Sequence, residues 1–207
     1  MKMIQVSLLL TCMLFSKALS LNCYQCVSSS SVECSKEQVT CPDQCFAATT
    51  SVYLSGTMMS EINSKTCGVA EMCVSWSMNL GIMKVTNNAK CCKTNLCNSE
   101  TIPAPSKQVP NGKRCYTCES DNCKASLNCE GDEDHCISAS VQQGGNTMSA
   151  KGCVSKSLCD MSKKESVSGI GITKFQCCEG NFCNGAEIFT LSFLLMIVPL
   201  ISSILFS

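Results

Sequence analysis

Apolar residues are concentrated at the two ends of the chain, and the region between them contains short β-favouring runs separated by turn residues. One apolar run covers Ile4 to Phe15, and a nearly unbroken one covers Ile188 to Phe206. Between them, Phe46 to Tyr53 is rich in Thr, Val and aromatic residues and is followed by a turn sequence at Leu54 to Thr57. Runs of this kind bounded by turn residues favour β-hairpins.

The same pattern predicts further hairpins along the chain. Met58 to Thr66 is the return strand of the first one. Ile137 to Gln143 and Thr147 to Lys151 flank Gly144-Gly145-Asn146, which is a strong hairpin-turn sequence. Two more hairpins are predicted over Val74 to Lys90 and Asp160 to Gln176.

The first apolar run has the organisation of a secretory signal peptide. It follows the basic residue Lys2 and precedes Ala18-Leu19-Ser20, which places small residues before a cleavage point. A run of about a dozen residues is too short to span a hydrocarbon core about 30 Å thick. We therefore expect residues 1–20 to be removed and the mature chain to begin at Leu21.

The second apolar run has two interpretations. A transmembrane helix needs about 20 apolar residues and normally has basic residues on its cytoplasmic side, but none follows Phe206. A glycosylphosphatidylinositol (GPI) signal needs small residues at the attachment site, which Asn184-Gly185-Ala186 supplies, and only the expected polar spacer is short. The sequence favours GPI attachment at Asn184, with Gly185 as the second choice. Residues 185–207 would then be a removed propeptide.

The cysteine content indicates a disulfide scaffold. The chain has 207 residues and 21 cysteines, and Cys12 lies in the predicted signal peptide, which leaves an even number for pairing. The 16 basic residues balance the 16 acidic ones. A neutral chain provides no basic field for nucleic acid, so we expect no nucleic-acid partner.

The cysteines form two sets of ten with similar spacing, separated by a cysteine-free stretch from Ser99 to Arg114. The last four spacings are the same in both sets. Both sets begin with Cys-Tyr-x-Cys, at Cys23 and Cys115, and both end with Cys-Cys-x-x-x-x-Cys-Asn, at Asn98 and Asn184. The chain therefore contains an internal repeat.

These motifs resemble the three-finger domain of the lymphocyte-antigen-six and urokinase-receptor family, also called the LU or UPAR domain. The resemblance implies a small disulfide-rich all-β fold of two tandem three-finger (snake-toxin-like) domains. They would span residues 21–98 and 115–184. The proline-containing stretch 99–114 would be a partly extended linker. Asn98 and Asn184 resemble the family asparagine that forms hydrogen bonds across the palm from which the fingers extend.

The resemblance also implies a disulfide pairing that sequence alone leaves open. In the first repeat it implies Cys23–Cys45, Cys26–Cys34, Cys41–Cys67, Cys73–Cys91 and Cys92–Cys97. In the second repeat it implies Cys115–Cys136, Cys118–Cys123, Cys129–Cys153, Cys159–Cys177 and Cys178–Cys183.

Other chemistry is weakly supported by the sequence. Cys-x-x-Cys can bind zinc or act as a redox pair, but both uses need reduced thiols, which the secretory route disfavours. His135 is the single histidine and lies beside Asp134, yet no second histidine or free nucleophile completes a catalytic set. We expect neither an enzyme, nor a metal, nor a cofactor.

Three residues are candidates for ligand contact. Met58 and Met59 lie near a predicted hairpin turn, where adaptable methionines can anchor an interface, whereas Trp76 can either bind a ligand or pack a sheet. Glu130 to Asp134 contains four acidic residues, which could attract a basic partner or form a solvated loop.

Together these features predict a non-catalytic, GPI-anchored receptor or adhesion-type protein on the outer leaflet of the plasma membrane. Its partner would be an extracellular protein bound through the three-finger domains. The alternative is a secreted phospholipase inhibitor, because such inhibitors also resemble two tandem domains of this type.

Overall fold

The computed structural model describes residues 20–29, 34, 37–106, 108–119, 122–143, 146–162 and 172–185. The predicted signal peptide, apart from Ser20, and the apolar run Ile188 to Phe206 lie outside the described residues, as does the Gly144-Gly145 part of one predicted turn. Among the described residues, no helix is long and apolar enough to cross a membrane.

The described residues form an almost entirely β structure. The strands are β1 Leu21–Tyr24, β2 Cys26–Ser29, β3 Gln38–Cys41, β4 Gln44–Leu54, β5 Thr57–Gly68, β6 Trp76–Asn79, β7 Met83–Cys92, β8 Pro110–Glu119, β9 Asn122–Glu130, β10 His135–Gln143, β11 Asn146–Val154 and β12 Ile172–Cys178. There is one α-helix among these residues, α1 Lys156–Ser162, and there are 3-10 turns at Ala70–Met72 and Cys183–Gly185. The fold is the small disulfide-rich all-β three-finger fold that the family resemblance implies.

The chain divides into two compact units. The first lies within Met1–Ser77 and Ile82–Lys107, and the second lies within Met78–Gly81 and Gln108–Ser207. In the first unit β1 pairs with β3, and β2, β5, β4 and β7 follow one another in an antiparallel sheet. In the second unit β8 pairs with β9, and β10 lies between β11 and β12. The predicted domain limits 21–98 and 115–184 remain a prediction.

The central hairpin of the first unit is formed by β4 and β5, where the sequence pattern predicts it. Ser55 and Gly56 form its turn with φ of 49° and 79°. Positive φ at both central residues is the geometry of a type I′ turn, whose twist matches that of the flanking strands. The tight turn sets the pairing of Leu54 with Thr57 and of Tyr53 with Met58, and after a shift of one residue at Val52 the pairing continues back to Gln44 opposite Gly68.

The second unit departs from the prediction at the start of the hairpin predicted over Asp160 to Gln176. Asp160 lies within α1 and not in a strand, Ile172–Cys178 forms β12, and residues 163–171 lie outside the described residues. The carbonyl of Ser155 accepts hydrogen bonds from the amides of Leu158 and Cys159, and Asp134 Oδ1 accepts one from the Lys156 amide at 2.8 Å. A carboxylate at a helix N-terminus satisfies an amide that would otherwise lack a partner, which stabilises a helix here.

Disulfides form the centre of each unit. Fully buried cysteines dominate both cores, and Cys23, Cys41 and Cys45 make up the first of them. The bonds join the cysteines in the pairs that the family resemblance implies: Cys23–Cys45, Cys26–Cys34, Cys41–Cys67, Cys73–Cys91, Cys92–Cys97, Cys115–Cys136, Cys118–Cys123, Cys129–Cys153, Cys159–Cys177 and Cys178–Cys183. Domains this small bury too little apolar surface to fold comfortably without such links.

A buried asparagine closes the palm of each unit. Asn98 accepts a hydrogen bond from the Tyr24 amide at 2.9 Å and donates to the carbonyls of Tyr24 and Phe46 at 2.9 and 3.0 Å. Asn184 makes the corresponding three bonds, with the amide and carbonyl of Tyr116 and the carbonyl of Ile137, each at 2.9 Å. Each side chain thereby ties the segment after the last disulfide of its unit to two earlier strands.

Candidate ligand-binding surface and lipid attachment site

Met58 and Met59 lie beside the turn of the central hairpin in the first unit. Tyr53 pairs with Met58 and Val52 pairs with Ser60, so Met59 is an additional residue in β5 and forms a β-bulge. A bulge re-aims side chains and interrupts regular pairing. The exposed fractions are 47% for Met58 and 62% for Met59. The structure therefore places both predicted contact residues at an accessible fingertip.

Neighbouring apolar side chains extend this fingertip. Leu54 precedes the turn and is exposed, and Ile82, from the loop before β7, is 65% exposed. The Ser55 amide donates to the Ile82 carbonyl at 2.7 Å, which holds the two loops together. We call Leu54, Met58, Met59 and Ile82 the apolar tip. Exposed apolar residues that cluster, unlike single ones, mark interaction sites, so the apolar tip is a candidate recognition surface.

Trp76 does not belong to the apolar tip. It is half-buried at the start of β6, and the preceding Ser75 hydroxyl lies 3.0 Å from Oδ1 of Asn88. Asn88 is four residues from Lys84, which is the residue of β7 opposite Tyr53. Four residues of a strand span about 14 Å. This separation favours the packing role of Trp76 over a joint role with Met58 and Met59.

The first part of the predicted linker is attached to the face of the first-unit sheet. Three side chains from neighbouring strands donate to its carbonyls: Lys65 to Ser99, Thr49 to Ile102, and Asn88 to Pro103 at 2.9 Å. We call residues 99–103 the strap. Sequence reasoning predicted only an extended spacer here, because hydrogen bonds to main-chain carbonyls leave no signature in the sequence of the strap itself.

The sheet face that carries the strap is polar and buried. Burial lowers the pKa of Lys65, whose ammonium faces a neutral carbonyl. Nearer the fingertip, Ser51 and Thr86 lie opposite each other, and their buried hydroxyls have no hydrogen-bond partner among the described residues. Buried polar groups are normally satisfied, so this pair has unused capacity for a water or a polar ligand group.

The acidic segment of the second unit is partly structural. Glu133 is fully buried, and its carboxylate accepts a hydrogen bond from the Glu130 amide at 2.8 Å. Burial raises the pKa of Asp134, but hydrogen bonds from His135 and the Lys156 amide outweigh it, so the net pKa is lowered. Asp132 is exposed. The four acidic residues therefore do not act together as one solvated patch.

His135 and the palm cysteines take part in structural contacts. His135 Nδ1 lies 2.9 Å from Asp134 Oδ1, and its Nε2 lies 3.2 Å from Glu179 Oε1. The sulfur atoms of Cys115, Cys129 and Cys153 lie within 4.8 Å of one another. All three are bonded in disulfides. Because zinc is bound by thiolates, sulfur atoms in disulfides do not provide the ligands of a zinc site.

Asn184, the predicted lipid attachment residue, lies in the last turn of the second unit. The Gly185 amide that follows it donates to the Phe182 carbonyl at 3.0 Å. The ring of Phe182 packs against that of Tyr116, with centroids 4.9 Å apart. Gly185 itself lies against the Tyr116 ring. Sequence reasoning identified Asn184 and Gly185 as alternative attachment residues but gave no indication of these contacts.

A family model matches both units. The u-PAR/Ly-6 domain matches residues 19–100 and again residues 111–186. These ranges cover most of the chain and include both sets of cysteines and both palm asparagines.

Individual relatives are receptors and an inhibitor. The chain is 25% identical to a urokinase plasminogen activator surface receptor of Bos taurus, over 77% of this chain and 53% of that protein. It is 31% identical to phospholipase A2 inhibitor NAI of Notechis ater, over 75% of this chain and 86% of the inhibitor. The chain thus spans about half the length of the bovine receptor.

A structural comparison matches a crystal structure of mouse TEX101. It covers 78% of this chain and 99% of that one, with 14% sequence identity and a TM-score of 0.32. Family membership follows from the family model, the receptor relatives and the two three-finger units. The chain belongs to the u-PAR/Ly-6 family.

Proposed function

We propose that this protein is a GPI-anchored binding protein of the cell surface that recognises an extracellular protein through the apolar tip of its first unit. The apolar tip carries the proposal. It exposes Leu54, Met58 and Met59 at the end of a hairpin whose base is fixed by disulfides, and Ile82 in the adjacent loop before β7. Recognition without turnover is also the mode of action that the names of the receptor and inhibitor relatives describe.

The chemistry of the apolar tip suits protein recognition. Methionine side chains are flexible and polarizable, so they adapt to irregular partner surfaces. The rigid type I′ turn beneath them reduces the ordering entropy that binding requires. The partner would therefore present an apolar pocket or ridge.

A matched pair of variants tests the role of the apolar tip. Met58→Ser combined with Met59→Ser should weaken binding of an extracellular partner about tenfold or more, because centrally buried apolar anchors carry much of an interface's free energy. Met148→Ser is the control, because Met148 is 58% exposed on a hairpin of the second unit. Partners would be sought by screening plasma and surface proteins against the soluble two-unit chain, and surface plasmon resonance would measure affinity. Equal affinities of the two variants would contradict the proposed surface.

The anchor is tested by releasing the full-length protein from intact cells with phosphatidylinositol-specific phospholipase C. The proposal is supported by the small residues at Asn184 to Ala186 and by the apolar run that follows them. We expect loss of surface protein and its appearance in the medium. Retention on treated cells would favour an uncleaved membrane span instead.

The second candidate function is a secreted phospholipase A2 inhibitor. It is favoured by the match to inhibitor NAI, which covers 86% of that protein and has a higher identity than the match to the bovine receptor. Inhibition of a phospholipase A2 by the purified two-unit chain, together with secretion without any phospholipase C treatment, would support this alternative over the first.

A further inference from the structure

The surroundings of Gly185 restrict what can follow Asn184 in the folded protein. The Gly185 amide donates to the Phe182 carbonyl at 3.0 Å. A Cβ atom built on Gly185 would lie 2.5 Å from Cε2 of Tyr116, which is closer than real Cβ atoms approach, and 3.0 Å from Cδ2 of the same ring. The position therefore accepts an N–H group followed by an unbranched methylene.

Ethanolamine, the group through which a GPI lipid joins a protein, has this structure. It consists of an amine followed by two unbranched methylenes and an oxygen that carries the phosphate. In the attachment step the ethanolamine nitrogen attacks the carbonyl carbon of Asn184, and the Asn184–Gly185 bond breaks. The Gly185 nitrogen takes a proton and leaves as the new amino terminus of the released peptide 185–207. One amide replaces another, and nothing is oxidised or reduced.

We propose that the lipid is joined to Asn184 and that its ethanolamine occupies the position of Gly185 in the folded second unit. The new amide N–H then donates to the Phe182 carbonyl, and the first methylene lies against the Tyr116 ring. This inference rests on the proposed GPI anchor and deepens it by defining the site and its geometry.

The residues around this position are held firmly. Asn184 is buried, and its side chain makes three hydrogen bonds within the palm. The Tyr116 ring is packed against Phe182, whose backbone has a φ of 59°. The Phe182 amide donates to the Arg114 carbonyl at 2.8 Å, which fixes the turn that presents the accepting carbonyl. The lipid would thus be joined to the folded unit with no flexible spacer.

The attachment residue is identified by mass spectrometry of the protein released by phospholipase C. After reduction and digestion with trypsin, we expect the last peptide to be Phe175 to Asn184 bearing ethanolamine phosphate together with the glycan and inositol phosphate that phospholipase C leaves attached to it. A last peptide that ends at Gly185 or later would overturn the assignment. If phospholipase C releases no protein at all, the proposed anchor itself fails, so the two failures are distinguishable.

Gly185→Ala gives an independent check, because alanine is also small enough for the attachment signal. If the lipid is on Asn184, residue 185 leaves with the propeptide, and the mature protein from this variant has the same mass and melting temperature as the wild type. If residue 185 is retained, the mature protein is heavier by one methylene and melts at a lower temperature.

The occupied position is tested by thermal unfolding of four soluble proteins. These are the phospholipase-released protein, a two-unit chain that ends at Asn184, one that ends at Gly185, and the latter chain with the Gly185→Ala substitution. We expect the released protein and the chain ending at Gly185 to melt together. The chain ending at Asn184 should melt about 4–8 °C lower, the shift expected when a domain of this size loses one net hydrogen bond, because its terminal carboxylate cannot donate to Phe182. The Gly185→Ala chain should also melt below its glycine parent. Identical melting of all four would overturn the inference.

Discussion

In the first unit the segment between β5 and β6 forms a single 3-10 turn, whereas in the second unit the segment after β11 forms the helix α1. The turn Ala70–Met72 contains no buried residue, but α1 buries Leu158 and Cys159. Both segments lead to a disulfide that spans 18 residues, Cys73–Cys91 in one unit and Cys159–Cys177 in the other. The covalent frame therefore accommodates two different local structures.

The palms of the two units, by contrast, have nearly the same hydrogen bonds and backbone conformation. Asn98 and Asn184 make corresponding sets of three hydrogen bonds. Leu96 and Phe182 both have positive φ, of 56° and 59°. The cysteines and asparagines therefore fix the palm, while the residues between them determine the shape of each finger.

The largest expected effect comes from removing the two corresponding disulfides. In the loop-closure model each removal lowers the free energy of unfolding by about 3 kcal/mol. The two values are equal because both disulfides span 18 residues. Cys159→Ala with Cys177→Ala should cost about 1 kcal/mol more than Cys73→Ala with Cys91→Ala, since Cys159 lies in a buried position and leaves a cavity. Hydrogen exchange in each unit, measured at increasing denaturant concentration, gives the free energy of unfolding of both variants. A larger loss in the first unit would contradict the comparison.

The two palm asparagines should contribute equally to the stability of their units. Asn98→Ala and Asn184→Ala each leave one amide and two carbonyls without their partners, so each should lower the free energy of unfolding of its own unit by about 2–3 kcal/mol. The two-unit soluble chain is suitable for this measurement by hydrogen exchange. Asn128→Ala, at an exposed position of β9, is the control and should change stability by less than about 0.5 kcal/mol. A difference between the two palm variants of more than about 1 kcal/mol would show that the palms are not equivalent.

The strap is a feature of the first unit that a single substitution can loosen. Thr49→Val removes a hydroxyl that contacts both the Ile102 carbonyl and Asn63 Oδ1, and it should destabilise the first unit by about 1 kcal/mol. Thr50→Val is the matched control, because its hydroxyl bonds to Asn87 instead. Faster proteolysis within residues 99–106 is expected only for the Thr49 variant. Equal rates for the two variants would mean that the hydrogen bond does not hold the strap.

The smallest expected effect is a pH dependence confined to the second unit. The pKa of Asp134 is lowered from its ordinary value of 3.8, so the unfolded chain binds a proton more readily than the folded one. The resulting stability is present above that value and is lost as the pH falls through the lowered pKa. Because Asp134 is 46% exposed, solvent screening limits the contribution to about a few tenths of a kcal/mol.

Asp134→Asn should remove this pH dependence. Asp132→Asn should retain it, because Asp132 is exposed to solvent. Thermal unfolding between about pH 2 and pH 6 gives the comparison, because this range brackets the carboxyl titration. An unchanged slope in the Asp134 variant would contradict the assigned cause.

Much of the fold is predictable from the sequence because its determinants are side chains with strong local preferences. The β-favouring run Phe46 to Tyr53 and the Ser55-Gly56 turn predict the central hairpin. The family resemblance, carried by the final Cys-Asn motifs, implies the palm asparagines. Cysteine spacing reveals the repeat, while the pairing had to come from the family resemblance.

The rest depends on contacts that have no local signature. The strap is held through its main-chain carbonyls, which every sequence possesses. Helix α1 is favoured by Asp134, which is distant in the chain from the helix it caps and is joined to it only by the fold. The close contact between Gly185 and Tyr116 likewise requires β8 and the last turn to be brought together. The turn sequence predicts Met58 and Met59 near a fingertip, but it does not predict the β-bulge at Met59.

The way in which the strap is held also bears on how the protein can be engineered. Because Lys65, Thr49 and Asn88 bind carbonyl oxygens, the side chains of residues 99–103 can be exchanged widely as long as the backbone stays extended. A purification tag or cleavage site placed before Ser99 would displace the strap and uncover the polar face of the sheet. We expect an insertion after Ser106 to leave this face covered, so that the shortest well-behaved recombinant first unit ends there and not at Asn98.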